Sequence, residues 1–216
     1  MGYDELLRAI GRAEWNRAED ATLELLHSGR FRDPRERAKT AIVLAQARIL
    51  GRLDARGAFT ALLSVLVDPI LQELEPRWVA RTHVVSTMVL RAPEAAFLET
   101  TSLDASIHLA TALVRAPADD DLRALAGVAL LGGGVVVPPV HRLEQYFAEV
   151  QPSLCRATEP VTRCLAFEAH AAAAGASTGD NLVHVEAGLA LARSIGFDAS
   201  VARLRQLSET APRSLW

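Results

Sequence analysis

The sequence predicts an all-α protein: a stack of antiparallel helical hairpins, about ten to twelve helices in a single domain. Three observations predict it. One segment, residues 34–51, carries nearly every local signal of a helix. That segment has echoes downstream at a regular period. No stretch offers two alternating apolar runs able to pair as strands.

The organising segment reads PRERAKTAIVLAQARILG. Asp33 is placed as N-cap, Pro34 at the first helical position, and Glu36 three residues beyond the cap completes a capping box. Ala, Leu, Gln and Arg fill the interior, and Gly51 is expected to stop the helix.

Counted from each proline, Ala38, Thr40 and Val43 correspond to Ala80, Thr82 and Val85 after Pro76. A third copy, without proline, begins near Asp120, with Ala124 in the small-residue slot, and a fourth begins at Pro160, with Cys164 there. The starts at 34, 76, 120 and 160 are separated by 42, 44 and 40 residues. A period of this length describes hairpins that bury their apolar faces by stacking. The pattern, over about residues 34 to 195, resembles HEAT-type helical repeats, whose usual length suits these spacings better than the shorter tetratricopeptide repeat. Asp121-Leu-Arg-Ala-Leu-Ala-Gly-Val-Ala-Leu-Leu-Gly is its most HEAT-like line.

Composition sets the class. Half of the 216 residues are hydrophobic and 23% are charged, which describes a globular chain. Mean hydropathy is slightly positive, which predicts alanine-rich packing or an apolar face covered in a homodimer. The net charge of −3 argues against a nucleic-acid partner. A single lysine, Lys39, beside 22 arginines is the codon bias expected of a GC-rich, bacterial genome. No apolar run reaches membrane-spanning length and the N-terminus has no signal-peptide layout, so the cytoplasm is the expected location. Cys155 and Cys164 form no disulfide framework or metal spacing.

In chain order, residues 3–13 and 15–28 predict a charged N-terminal capping hairpin (1–33), with Leu6, Leu7 and Ile10 on one face and Ala18, Thr22, Leu25 and Leu26 on the other helix's inner face. Trp15 at the bend is read as a packing anchor. Asp54 caps a helix ending at Asp68-Pro69, apolar apart from Arg56, Thr60 and Ser64, and so expected to be buried on several sides. Residues 68–76 predict one or two turns between prolines. The β-branched run Val84, Val85 and Val89 remains helical because no partner strand exists. Helices are then predicted over 93–100, 103–115, 120–131, 140–150, 160–176, 181–196 and from Asp198 onward, with a break at Gln151-Pro152. Gly132 to Pro139 is an irregular connection within the domain.

Chemical motifs are few. Asp119, Asp120 and Asp121 point in three directions on a helix, which suits a cap and favourable dipole charge better than a metal. Gly132-Gly133-Gly134 lacks the Lys and Ser/Thr of a phosphate loop. No two histidines share a helix face at metal-ligand spacing, and no hydrolase motif is legible, so no cofactor, metal or catalytic residue is assigned.

The richest polar cluster is His141, Arg142, Glu144, Gln145 and Tyr146. In HEAT-like stacks the second helix of each hairpin lines the concave face. The resemblance therefore implies a groove carrying Arg56, His108, Arg142, Tyr146 and His184, which with His141 and Glu144 of the polar cluster are the candidate ligand- or partner-binding residues. The function expected from this architecture is a scaffold that binds a protein or peptide. The alternative is a small-molecule binder or cofactor-independent enzyme with a pocket near 132–146. Some base-excision glycosylases also use a HEAT-like fold, but the acidic balance and sparse aromatics speak against that chemistry here.

Overall fold

The structure is a computed structural model and describes residues 2–29, 31, 33–92, 108, 111–112, 115, 119–131, 151–175 and 181–210. The described residues are overwhelmingly helical and include no strand. The named elements are α1 (Tyr3–Gly11), α2 (Trp15–Ser28), α3 (Pro34–Ala47), a π-turn (Arg48–Arg52), α4 (Ala55–Leu66), a 3-10 turn (Pro69–Glu73), α5 (Pro76–Arg91), α6 (Asp120–Leu131), α7 (Pro160–Gly175), α8 (Asn181–Ile195) and α9 (Asp198–Thr210). No described helix is long and apolar enough to cross a membrane.

The organising segment is the centre of the N-terminal half. From Thr40 to Ala47 every residue of α3 is buried, and the helix packs against α1, α2, α4 and α5. Asp33 caps it by accepting from the Arg35 N–H at 2.9 Å. The two polar side chains that α3 carries into this core, Thr40 and Gln46, are hydrogen-bonded. Thr40 Oγ1 donates to the Glu36 carbonyl, and Gln46 Oε1 accepts from Arg81 Nη1 at 2.7 Å.

Gly51 does not stop the helix. The chain continues through the π-turn Arg48–Arg52, and Leu53 takes the left-handed conformation that reverses it. The glycine is needed for space: a Cβ at position 51 would lie 2.4 Å from Cγ of Trp15. The indole therefore occupies the volume a side chain would take, and Trp15 is the packing anchor its position suggests.

The four helices that begin near 34, 76, 120 and 160 share buried positions. Positions four, six and nine after each start are buried in all four helices: Ala38, Thr40, Val43; Ala80, Thr82, Val85; Ala124, Ala126, Ala129; Cys164, Ala166, Ala169. The two threonines also share a bond, each donating to the carbonyl four residues earlier. Small residues at these slots let neighbouring helices approach closely. The helices α1, α3, α5, α6 and α7 each pack on the next, and α7 returns to touch α1. Gly11 marks that return, since a Cβ there would meet the Glu159 side chain at 3.3 Å.

Two further expectations are corrected. Residues 151–156 are helical, so Gln151-Pro152 marks no break there. The helix α4 is not buried on several sides: Ala55, Ala58, Leu62 and Val65 are buried, while Arg56, Thr60, Leu63 and Ser64 are exposed. Among the described elements, α3, α5 and the two short turns pack against it. The predicted helices at 93–100 and 140–150, most of 103–115, the 132–139 connection and Trp216 lie outside the described residues.

Candidate functional site

Of the candidate binding residues, His141, Arg142, Glu144 and Tyr146 lie outside the described residues. The other three occupy three different places. Arg56 stands on the exposed side of α4. His108 meets His83 of α5, and His184 of α8 stacks on His170 of α7.

The histidines form cross-helix pairs that sequence spacing could not reveal. Nδ1 of His83 and Nδ1 of His108 are 2.6 Å apart. One ring must donate a proton that the other lacks, so the two adopt opposite tautomers. Burial, then the neighbouring His108 and the positive charge of Arg115, push the His83 pKa down to about 4. His170 and His184 stack with centroids 5.1 Å apart at 20°. Burial and the His184 charge lower the His170 pKa. His83 and His170 are therefore held neutral near pH 7.

The acidic run at 119–121 is wholly committed to structure. Asp119 accepts from the Leu122 N–H. Asp120 holds Arg156 through both carboxylate oxygens, at 2.7 and 2.8 Å, and accepts from Ser153. The Arg156 and Ser153 bonds lower its pKa to about 2. Asp121 accepts from the backbone N–H groups of Thr158 and Glu159 and from Thr158 Oγ1. The three carboxylates cap α6, tether residues 153–156 and bind the chain leading into α7. No group of three or more candidate metal ligands occurs among the described residues.

Other buried charges staple helices. Glu19 accepts from Arg48 Nε at 3.1 Å and pairs with Arg52 Nε at 2.9 Å, fastening α2 to the π-turn. Glu168 on α7 receives Ser200 Oγ and, at 2.6 Å, Arg203 Nε from α9. Arg81 is lowered in pKa by burial, an effect opposed by the carboxylates of Glu159, Asp119 and Asp121. Burial raises the Cys164 pKa to about 12, and Glu168 adds to the shift, so that thiol is not a nucleophile. These groups bond one another across the packed helices, as structural polar networks do.

Among the described residues, several large apolar side chains stand exposed. Val67 is 73% exposed, Leu53 45% and Leu63 44%. On α4 and the residue that follows it, Arg56, Thr60, Leu63 and Val67 are spaced by four, three and four residues, which places them on one line of the helix. Phe59 and Leu66 are half-buried beside that line. Apart from Arg56 it holds no charge. The sequence signal was present in Arg56, Thr60 and Ser64, which mark the solvent side at helical spacing. Leu63 and Val67 hid it, because they make the helix look apolar all round. A second exposed pair, Leu182 and Val183, opens α8.

No protein-family model, no curated protein and no solved structure matches this chain.

Proposed function

We propose that this chain is a helical interaction module and that its binding element is the outer side of α4. The observation that carries the reading is the exposed line Arg56, Thr60, Leu63 and Val67, continued by Leu53. Branched aliphatic side chains on a solvent face gain when a partner covers them. Each contributes about 1.5–3 kcal/mol if fully buried. The line is supported from behind by Ala55, Ala58, Leu62 and Val65, all buried, so it is presented rigidly. The stacked-hairpin architecture inferred from the sequence also supports a binding role, because such folds present extended helix surfaces.

The partner is a polypeptide with an apolar helix face, docked along α4. A photoreactive amino acid at Leu63 tests this in an extract of the native host. It is expected to give an adduct that Val67→Glu abolishes and that the same probe at Asp20, an exposed position on α2, does not give. Equal labelling from Asp20 and Leu63, or none from Leu63, overturns the reading.

A further inference from the structure

We infer that the contact between His83 and His108 is an acid-released latch: it holds α5 to the helical residues His108, Thr111, Ala112 and Arg115 while one proton lies between the facing nitrogens, and lets go when both must carry one.

The geometry sets the rule. The ring centroids are 4.9 Å apart with planes tilted by 36°, and the two Nδ1 atoms are 2.6 Å apart. At that separation one proton fits between the nitrogens and two do not. The donor ring can gain a proton at its Nε2 and still donate from Nδ1. The acceptor ring cannot. Its Nε2 already carries hydrogen, so the nitrogen left to protonate is the one in the contact. Protonating it sets two N–H groups head to head, and the rings must part.

His83 is the acceptor. Burial, then His108, then Arg115 hold its pKa down to about 4, as suits the ring whose bare nitrogen is committed to the contact. Among the described residues, His108 and Arg115 are the titratable or charged groups that bear on it. The other elements packed on α5 are α3, α4, α6 and the π-turn. From α3, Lys39 goes to Glu75 and Gln46 to Arg81. From the π-turn, Arg48 and Arg52 go to Glu19. On α4 the buried residues Ala55, Ala58, Leu62 and Val65 are uncharged, and Arg56 is exposed. At the start of α6, Asp119 and Asp121 act on Arg81. These carboxylates are engaged elsewhere, and the positive charge of Arg115 opposes a further proton on His83.

The second histidine pair lacks this conflict. His170 and His184 stack at 20° with centroids 5.1 Å apart. Imidazole N–H bonds lie in the ring plane, so stacked rings do not aim them at each other. A proton there adds charge without setting donor against donor.

Opening returns His83 to the ordinary imidazole value of 6.5. The open form then binds a proton that the closed form refuses. Closure is strongest above pH 6.5 and is lost as the pH falls towards 4. The equilibrium constant for opening rises by up to about thirtyfold between about pH 7.5 and about pH 5. Ala112, one turn beyond His108, is buried, so release brings apolar surface to water.

The test is hydrogen–deuterium exchange of the full chain at about pH 7.5 and about pH 5, with and without dilute urea. Each rate is divided by that of the unfolded chain under the same conditions. In acid, peptides from α5 and from the stretch containing His108 are expected to exchange at least about tenfold faster and to ignore the urea, as a local opening does. Peptides from the buried Thr40–Ala47 of α3 report global unfolding and speed up with urea. His83→Gln is expected to remove the acid response at α5, and His170→Gln to leave it. Nitrogen NMR of the wild-type imidazoles needs no variant. At about pH 7.5 it is expected to find hydrogen on Nε2 of His83 and on Nδ1 of His108.

Exchange at α5 that follows α3 in urea at both pH values overturns the latch, because the acid effect is then global. So does a His83→Gln protein that keeps the tenfold response. Two rings in the same tautomer overturn it as well.

Discussion

The indole of Trp15 lies against the ring of Phe197, with centroids 5.3 Å apart and planes tilted by 56°. This contact joins the start of the second helix to the residue between the last two. Phe197 is held there from its own side by a tight turn. Gly196 takes a left-handed conformation, and the Phe197 N–H bonds back to the Ala192 carbonyl at 2.9 Å. Trp15 therefore meets two distant parts of the chain, Gly51 and Phe197. Trp15→Ala and Phe197→Ala are each expected to cost about 3–5 kcal/mol of stability. In a double-mutant cycle their coupling is about 0.5–1.5 kcal/mol, the range for an aromatic pair. Additive losses in urea unfolding would show that the rings are neighbours without being energetic partners.

Gly51→Ala adds one methyl group where Trp15 already stands. Overpacking of this kind costs about 1–3 kcal/mol, and here it outweighs the small gain in helix propensity. The same change in a Trp15→Leu background is expected to cost less, because the smaller side chain leaves room. Thermal unfolding of the four proteins in that cycle decides it.

His83 gives the protein a stability loss in mild acid. Its pKa is about 4 when folded, against 6.5 for the ordinary imidazole. Between those values the unfolded chain binds a proton that the folded chain refuses, so stability rises with pH across that window. It is fully present above pH 6.5, falls as the pH drops towards 4, and falls no further from this group below that. Discounted for partial exposure of the ring, the loss is about 2 kcal/mol. His170, lowered by burial, acts in the same direction. Urea midpoints measured from pH 7 to pH 4 are expected to fall, and His83→Gln is expected to flatten that slope.

Glu168 is expected to resist replacement more than any exposed carboxylate. It is 9% exposed and receives Ser200 and Arg203 from the neighbouring helix. Glu168→Ala leaves the half-buried Arg203 guanidinium without its partner and is expected to cost about 3 kcal/mol. Arg35→Ala removes the exposed pair with Glu73 and is expected to cost less than about 1 kcal/mol. Chemical denaturation of the two variants compares them directly.

The two cysteines differ in reactivity. Cys155 is exposed and Cys164 buried, with the thiol of the latter raised to about 12. A thiol reagent at pH 8 is expected to label one site per folded chain and two after denaturation. Peptide mapping that found label on Cys164 in the native protein would contradict the packing of α7.

The helices were legible because helix formation is largely local. Pro34, Pro76 and Pro160 open helices where the sequence reading puts them, and the four starts share buried positions that could be counted from residue spacing alone. The triple aspartate was legible for the same reason. Consecutive residues on a helix diverge, and each of the three carboxylates does bind a different group. The end of α3 was not legible. A glycine after an apolar run is the usual stop signal, yet Gly51 is there because Trp15, 36 positions earlier, fills the space beside it. The candidate site was less legible still. Arg56 was singled out, but Leu63 and Val67 read as core, since an exposed leucine and a buried one are the same letter.

The sequence by itself determined the all-α class, the helix starts and the buried positions shared by the four helices that begin near 34, 76, 120 and 160. These follow from caps, propensities and periodicity, which act within a few residues. Only the tertiary structure decided that α4 has a bare side, that His83 meets His108, and that α7 returns to α1. Those depend on which helix lies beside which. That choice is made by shape and burial summed over the whole core, and no short stretch of sequence contains it.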